Sequence, residues 1–164
     1  MTLSAQAPLA DHHEPAEFNS GVRELDDWLH RRARANQEGG ASRTFVVCEG
    51  SHVIAYYALA SGAVKQPEAP GCFRRNIPDP ILVAVLGRLA IDRTYQGRGI
   101  GRALVRDAGL RLLNAAEILG IRGVLAHAIS DDPRVFYEAV GFRPSPSDPM
   151  TLMVGLHDLN SAMN

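Results

Sequence analysis

Three glycines stand at alternate positions in Gln96-Gly97-Arg98-Gly99-Ile100-Gly101, directly ahead of a helical pattern that starts at Ile100. Glycines so placed let backbone N–H groups point one way. A helix beginning there adds unpaired N–H groups and the positive end of its dipole. That chemistry holds phosphate. The same residues also suit a ligand-free turn between strand and helix, so the rest of the chain has to decide. The G-x-G-x-G spacing is not the dinucleotide fingerprint, and the Lys-Ser/Thr pair of a nucleoside triphosphate loop is missing.

Charge is distributed to suit a polyanion. The chain has 164 residues and a formal net charge of −1. Between positions 74 and 106, however, Arg74, Arg75, Arg88, Arg93, Arg98, Arg102 and Arg106 are offset only by Asp79 and Asp92. Acidic residues gather elsewhere, at Asp11, Glu14 and Glu17, at Asp26 and Asp27, and at Asp131 and Asp132. A basic stretch in a near-neutral protein favours a local anionic ligand.

Other chemistries find little support. His12 and His13 lie in a polar, Pro-containing segment with no partner at ligand spacing, so no metal is expected. Cys48 falls in an apolar strand pattern and Cys72 in a Pro/Gly-rich loop, which is neither a disulfide framework nor a metal set. No apolar run approaches the roughly 18 residues of a membrane span. The first ten residues lack a basic region followed by an apolar core, so a cytoplasmic protein without membrane contact is expected.

The elements that must position the glycine-rich turn follow from periodicity. Leu3 to Leu9 reads as an edge strand and Asp11 to Glu17 as a loop. Asn19 or Ser20 would cap a helix from Val22 to Gln37 that carries Val22, Leu25, Trp28, Leu29 and Ala33 on one stripe and ends at Gly39-Gly40. Arg43 to Glu49 and Val53 to Ala63 form a hairpin about Gly50-Ser51, and Lys65 to Pro80 is a long loop. Ile81 to Ile91 is a central strand covered on both faces, with Gly87-Arg88 marking a bulge, a twist or a close approach. A helix from Gly99 to Leu119 stops at Gly120, and a strand follows over Ile121 to Ala128. Asp131 or Asp132, with Pro133 at the first helical position, starts a short helix through Val140, and Met150 to Val154 is the last strand. The expected architecture is one α/β domain over residues 1–164, a mixed twisted sheet flanked by helices.

Arg93-Thr94-Tyr95-Gln96-Gly97-Arg98-Gly99-Ile100-Gly101, after a strand and opening a helix, resembles the Q/R-x-x-G-x-G/A pyrophosphate motif of the GNAT superfamily of N-acetyltransferases. Val135-Phe136-Tyr137-Glu138-Ala139-Val140-Gly141-Phe142 resembles the FYExxGF segment of the same superfamily. Further segments are similar to the GNAT toxins of bacterial type II toxin–antitoxin modules. They are Phe18-Asn19-Ser20-Gly21, Leu25-Asp26-Asp27-Trp28-Leu29, Ser42 to Val47, Tyr56 to Ala60 and Leu86 to Asp92.

That resemblance implies the GNAT fold and acetyl-CoA as cosubstrate. It implies acetylation of the α-amino group of aminoacyl-tRNA, a block of translation, a ribbon-helix-helix antitoxin and a homodimer. Carried over by motif, Gln96, Gly97, Arg98, Gly99, Ile100, Gly101 and Arg102 would hold the CoA pyrophosphate. Leu89, Ala90 and Ile91 would bond the pantetheine arm. Tyr137 would be the general acid that protonates the leaving thiolate.

The central strand carries no carboxylate or histidine to serve as base. A lysine amine is neutral in roughly 1 part in 2500 at pH 7, an α-amine in about 1 part in 10. The difference is worth roughly 3 kcal/mol of barrier and favours an α-amine, with a water relay left open. For a tRNA acceptor, Arg31, Arg32, Arg34, Arg74, Arg75 and Arg88 are candidate phosphate contacts, and Phe73 could stack on an end base. Acetylation of a small amine or a protein N-terminus, and a non-catalytic acetyl-CoA-binding regulator, are the rival readings.

Overall fold

The computed structural model describes residues 2–71 and 80–163. Cys72, Phe73, Arg74 and Arg75 lie outside the described residues. Seven strands hydrogen-bond in the order β1-β2-β3-β4-β5-β7-β6. They are β1 (Ala7–Pro8), β2 (Arg43–Glu49), β3 (His52–Val64), β4 (Ile81–Ile91), β5 (Gly123–His127), β6 (Arg143–Ser145) and β7 (Asp148–Gly155). The described helices are α1 (Arg23–Arg31), α2 (Ala33–Glu38), α3 (Ile100–Leu119), α4 (Asp131–Ala139) and α5 (Leu156–Met163). The sheet is mixed: β4 and β5 are parallel, while β1–β2, β2–β3, β5–β7 and β6–β7 are antiparallel. This is the α/β class expected. The chain forms two compact units, Met1–Ala60 with Arg88–Val105, and Ser61–Gly87 with Arg106–Asn164.

In the first unit, the expected edge strand over Leu3 to Leu9 shrinks to Ala7–Pro8 and a lone bridge from Leu3 to Glu49. Pro8 has no N–H with which to extend a ladder. The helix expected from Val22 to Gln37 is two helices, parted at Arg32, whose φ of −123° leaves the helical region. Tertiary bonds aim the second piece. Arg34 Nη2 donates to the Ala10 carbonyl at 3.2 Å, and Gln37 bridges the Leu9 carbonyl at 2.8 Å and the Thr44 N–H at 3.0 Å. Val22 holds the N-cap place of α1. Ser20 instead donates its hydroxyl to Asp26 at 2.7 Å.

The core of this unit gathers Phe18, Trp28, Leu29, Ala33, Val46 and Tyr56. Trp28 stacks on Tyr56 at 5.8 Å between ring centroids, and the Tyr56 hydroxyl donates to the Leu25 carbonyl at 2.6 Å. The β2–β3 hairpin turns at Gly50, whose φ of +63° needs the freedom of glycine.

In the second unit, Val64, Ala69, Ile81, Val83, Leu125 and Met153 form a core cluster. Gly62 is required there, since a Cβ on it would stand 2.7 Å from Val85 Cγ2. β4 keeps its expected bounds but is only partly covered, with Leu82 exposed and Leu89 and Ile91 half-buried. The strand runs through Gly87-Arg88 without interruption, and a Cβ on Gly87 would meet nothing within 4 Å. β4 pairs with β5 from Val83↔Gly123 to Leu86↔Ala126. α3 ends at Gly120 with φ +71°, as expected.

Ser130, rather than an aspartate, takes the N-cap place of α4, and Pro133 is its third residue. That position tolerates proline because its N–H would have no helical acceptor. Two elements had no expectation attached. β6 is three residues long and contains Pro144, and α5 is eight residues long, with Leu156 and Leu159 buried.

Candidate functional site

The glycine-rich turn is built from the first unit's own chain. β4 ends at Ile91, and Asp92 caps a short 3-10 turn over Arg93–Tyr95 by accepting the Thr94 N–H at 3.0 Å. The other carboxylate oxygen of Asp92 accepts the Asn19 N–H at 3.0 Å. Gln96 directs its side chain inward and donates to the carbonyls of Ser20 and Ile91, both at 2.8 Å. Gln96 therefore clamps the turn to the strand end and to the approach of α1.

Beyond this clamp, Gly97 and Gly99 take φ of +81° and +79°. A Cβ on either would meet nothing within 4 Å, so the space beside both is open. α3 starts at Ile100, and the first helical-type bond runs from the Ala103 N–H to the Gly99 carbonyl at 3.2 Å. The N–H groups of the helix's first turn lack intrahelical acceptors by geometry. Gly101 is buried, whereas Arg98 and Arg102 are exposed, and the Arg98 guanidinium lies 5.1 Å from the Tyr95 ring centroid. Exposed glycines, left-handed at alternate positions, a helix start and two arginines are groups whose chemistry suits an anion such as a diphosphate.

On β4, Ala90 is buried in the first unit's core, while Leu89 and Ile91 are half-buried. The Ile91 carbonyl already accepts from Gln96.

Tyr137 sits on α4 in the second unit. Its ring is buried, with centroids 5.5 Å from Phe136 and 5.2 Å from Phe142. Burial pushes the phenol well above the usual tyrosine range, so it holds its proton at neutral pH. Among the described residues, the fully buried side-chain polar atoms without a partner are Ser42 Oγ and Thr44 Oγ1. The Tyr137 hydroxyl is not one of them, nor does it bond a described residue. A buried ring ending in a protonated hydroxyl suits proton donation.

The arginines divide. Arg31, Arg32 and Arg88 line a cavity of about 620 Å³ together with Trp28, Glu24 and Asp27. The Arg88 guanidinium lies over the Trp28 ring at 4.6 Å, which presents its charge from a fixed position. Arg34 is set apart, because its Nη2 is committed to the carbonyls of Ala10, Asp11 and His13. Arg74, Arg75 and Phe73 fall outside the described residues.

Sequence reasoning looked for a base on the central strand and missed a cluster on its neighbours. His127 ends β5 and stands opposite Thr151 of β7. His127 Nδ1 and Thr151 Oγ1 are 2.9 Å apart, and Thr151 Oγ1 donates to Asp148 Oδ2 at 2.9 Å. The backbone N–H of Met150 and then the Thr151 hydroxyl hold the Asp148 carboxyl below the usual carboxylate range. His127, Ser145, Ser147, Asp148 and Thr151 line a cavity of about 270 Å³ with apolar Val64, Leu125 and Met153. A histidine closing a strand was the only linear signal, and its partners lie more than twenty positions away.

Among the described residues, no group of three or more His, Cys, Asp or Glu side chains is placed to hold a metal ion. No described helix is long and apolar enough to cross a membrane.

The fold and the cradle define a class. Residues 40–144 match the acetyltransferase (GNAT) domain, and the chain belongs to the GNAT family of acetyl-CoA-dependent N-acetyltransferases. Over 155 residues it is 47% identical to a tRNA-acetylating toxin of Mycobacterium tuberculosis, spanning 94% of this chain and 93% of the relative. Its fold is shared with AtaT complexed with acetyl-methionyl-tRNAfMet, at a TM-score of 0.90 and 24% identity over 99% of this chain and 100% of AtaT. It is likewise shared with a tyrosine-to-phenylalanine AtaT mutant bound to the C-terminus of the antitoxin AtaR and to acetyl-CoA. There the TM-score is 0.83 at 24% identity, over 98% of this chain and 97% of the mutant.

Proposed function

We propose that the protein is a toxin N-acetyltransferase. It moves an acetyl group from acetyl-CoA to the α-amino group of aminoacyl-tRNA, blocks translation, and is neutralised by a cognate antitoxin. The observation that carries this reading is the 47% identity with a tRNA-acetylating toxin over nearly the full length of both chains. Residues 1–164 act as one catalytic domain.

The chain's own residues fit acetyl-CoA. The open space beside Gly97 and Gly99 admits a diphosphate to the amides of residues 96–102. Gln96 holds the turn in place, and Arg98 and Arg102 add positive charge. The backbone of Leu89, Ala90 and Ile91 aligns the pantetheine arm. Acetyl-CoA supplies a thioester whose carbonyl an amine can attack. Tyr137, kept protonated by burial, gives its proton to the departing sulfur. Arg31, Arg32 and Arg88 take tRNA phosphates at the cavity beside Trp28. Arg34 holds the N-terminal loop instead.

The test incubates bulk charged tRNA with labelled acetyl-CoA and identifies the acetylated residue after deacylation. Label on the α-nitrogen of a tRNA-linked amino acid is expected. Label found only on free amines or protein N-termini overturns the reading. The antitoxin is a ribbon-helix-helix protein, checked by co-purification with the product of the adjacent reading frame. The enzyme works as a cytoplasmic homodimer, checked by light scattering and by cell fractionation.

A further inference from the structure

The His127 cluster has a proton order that its geometry dictates. Asp148 is held ionised by the Met150 N–H and the Thr151 hydroxyl, so it only accepts. Thr151 has one hydroxyl proton and gives it to Asp148 at 2.9 Å. Its oxygen can therefore only accept from the ring nitrogen 2.9 Å away, which places a proton on His127 Nδ1. The neutral imidazole then carries its lone pair on Nε2, which bonds no described residue.

The cavity beside this ring excludes a second reading. Ser145 donates its hydroxyl to the Glu68 carbonyl at 2.6 Å, and the Ser147 hydroxyl stands 3.1 Å from Ser145 Oγ. Ser145 thus has no proton for His127 to remove, and the cluster is not a serine nucleophile with its base. The ring is free to act on something that enters. α4, which carries Tyr137, packs on β6 and β7, the strands that supply Ser145 and Thr151. The candidate acid and this imidazole thus belong to elements of the same unit.

We propose that His127 is the proton acceptor of the transfer, its Nε2 taking the proton that the attacking amine gives up, with Thr151 and Asp148 as positioning residues. This rests on the α-amine acceptor reading above. The amine nitrogen forms the N–C bond to the thioester carbonyl, and the C–S bond breaks with its electron pair leaving on sulfur. One amine proton passes to Nε2, and the Tyr137 hydroxyl proton passes to sulfur. Solvent then carries a proton from the imidazolium back to the phenolate, so amine and thioester become amide and thiol with nothing left over. Among the described residues that line this cavity with His127, the charged or titratable groups are Asp148 of β7 and Glu68 of the turn after β3.

Two measurements decide it, both on the full chain. The first is the pH profile of kcat on bulk charged tRNA for wild type, His127→Gln and His127→Ala. Loss of the acidic limb and a fall in kcat of about 100-fold are expected, with acetyl-CoA affinity unchanged and added imidazole restoring part of the His127→Ala rate. A His127→Gln enzyme within twofold of wild type and with the same pH profile overturns the proposal. Wild type that leaves charged tRNA untouched overturns the acceptor reading and this proposal together. The second is nitrogen NMR of the free enzyme, which needs no turnover. An Nδ1–H tautomer in wild type that shifts toward Nε2–H in Thr151→Val is expected, and an Nε2–H tautomer in wild type overturns the proton order.

Discussion

The diphosphate cradle and the His127 cluster are built by opposite means. In the cradle as proposed the working groups are backbone N–H groups; Gly97 and Gly99 shape them through positive φ, and the Gln96 side chain clamps them through two bonds of 2.8 Å. Its glycines, amides and arginines come from one run of chain, with Ser20 and Asn19 as the distant anchors. In the cluster the working groups are side chains, and the backbone serves by register, setting His127 opposite Thr151 in the β5–β7 ladder. A site of the first kind is robust to side-chain loss and fragile to added Cβ atoms. One of the second kind fails one atom at a time.

The sharpest way to break that contrast is Tyr137→Phe, which removes a single oxygen from the second unit. A fall in kcat of about 100-fold or more is expected, with acetyl-CoA affinity unchanged by calorimetry. Because burial pushes the phenol upward, its ionisation adds no basic limb to the kcat profile below about pH 10. A limb near pH 8 that disappears in Tyr137→Phe would show that the hydroxyl is neither raised nor held protonated.

Next in size is reversal of Arg31, Arg32 and Arg88 to glutamate. These side chains line one cavity, so their loss is expected to raise KM for charged tRNA roughly 30-fold and to flatten its salt dependence, with KM for acetyl-CoA constant. Arg34→Gln supplies the contrast. Its guanidinium holds three carbonyls of the N-terminal loop, so it should lower the melting temperature and leave the salt slope alone.

Legibility in the sequence follows the same division. The glycine-rich turn, β4, α3 and the Gly120 stop were readable because each rests on contiguous residues with strong local preferences: alternate glycines, an apolar run, a helical period. The break between α1 and α2 was not, since no Gly or Pro marks Arg32. The helix is redirected by bonds from Arg34 and Gln37 to segments distant in the chain. β6 and α5 were too short for periodicity to register. His127 escaped because its meaning depends on Thr151 and Asp148, which only the register of two strands brings to it.

A smaller effect tests the cradle's backbone. Gly99→Ala places a Cβ in open space, so no clash arises, but φ of +79° is left-handed and costs a non-glycine residue about 1–2 kcal/mol. The turn can relax by giving up that conformation, which points its amides elsewhere. Acetyl-CoA affinity is expected to fall about tenfold, while the melting temperature moves little because the turn relaxes instead of bearing the strain.

Arg98→Ala should do least, and for that reason it separates the two designs most cleanly. Its guanidinium rests 5.1 Å from the Tyr95 ring centroid on an exposed surface, where a charge contributes about 0–1 kcal/mol and salt screens it. Acetyl-CoA affinity is therefore expected to fall no more than about fivefold at low salt and hardly at all at high salt. If Arg98→Ala instead matched or exceeded Gly99→Ala at high salt, the pyrophosphate would be held chiefly by a side chain. The cradle would then belong with the His127 cluster as a site assembled from side chains.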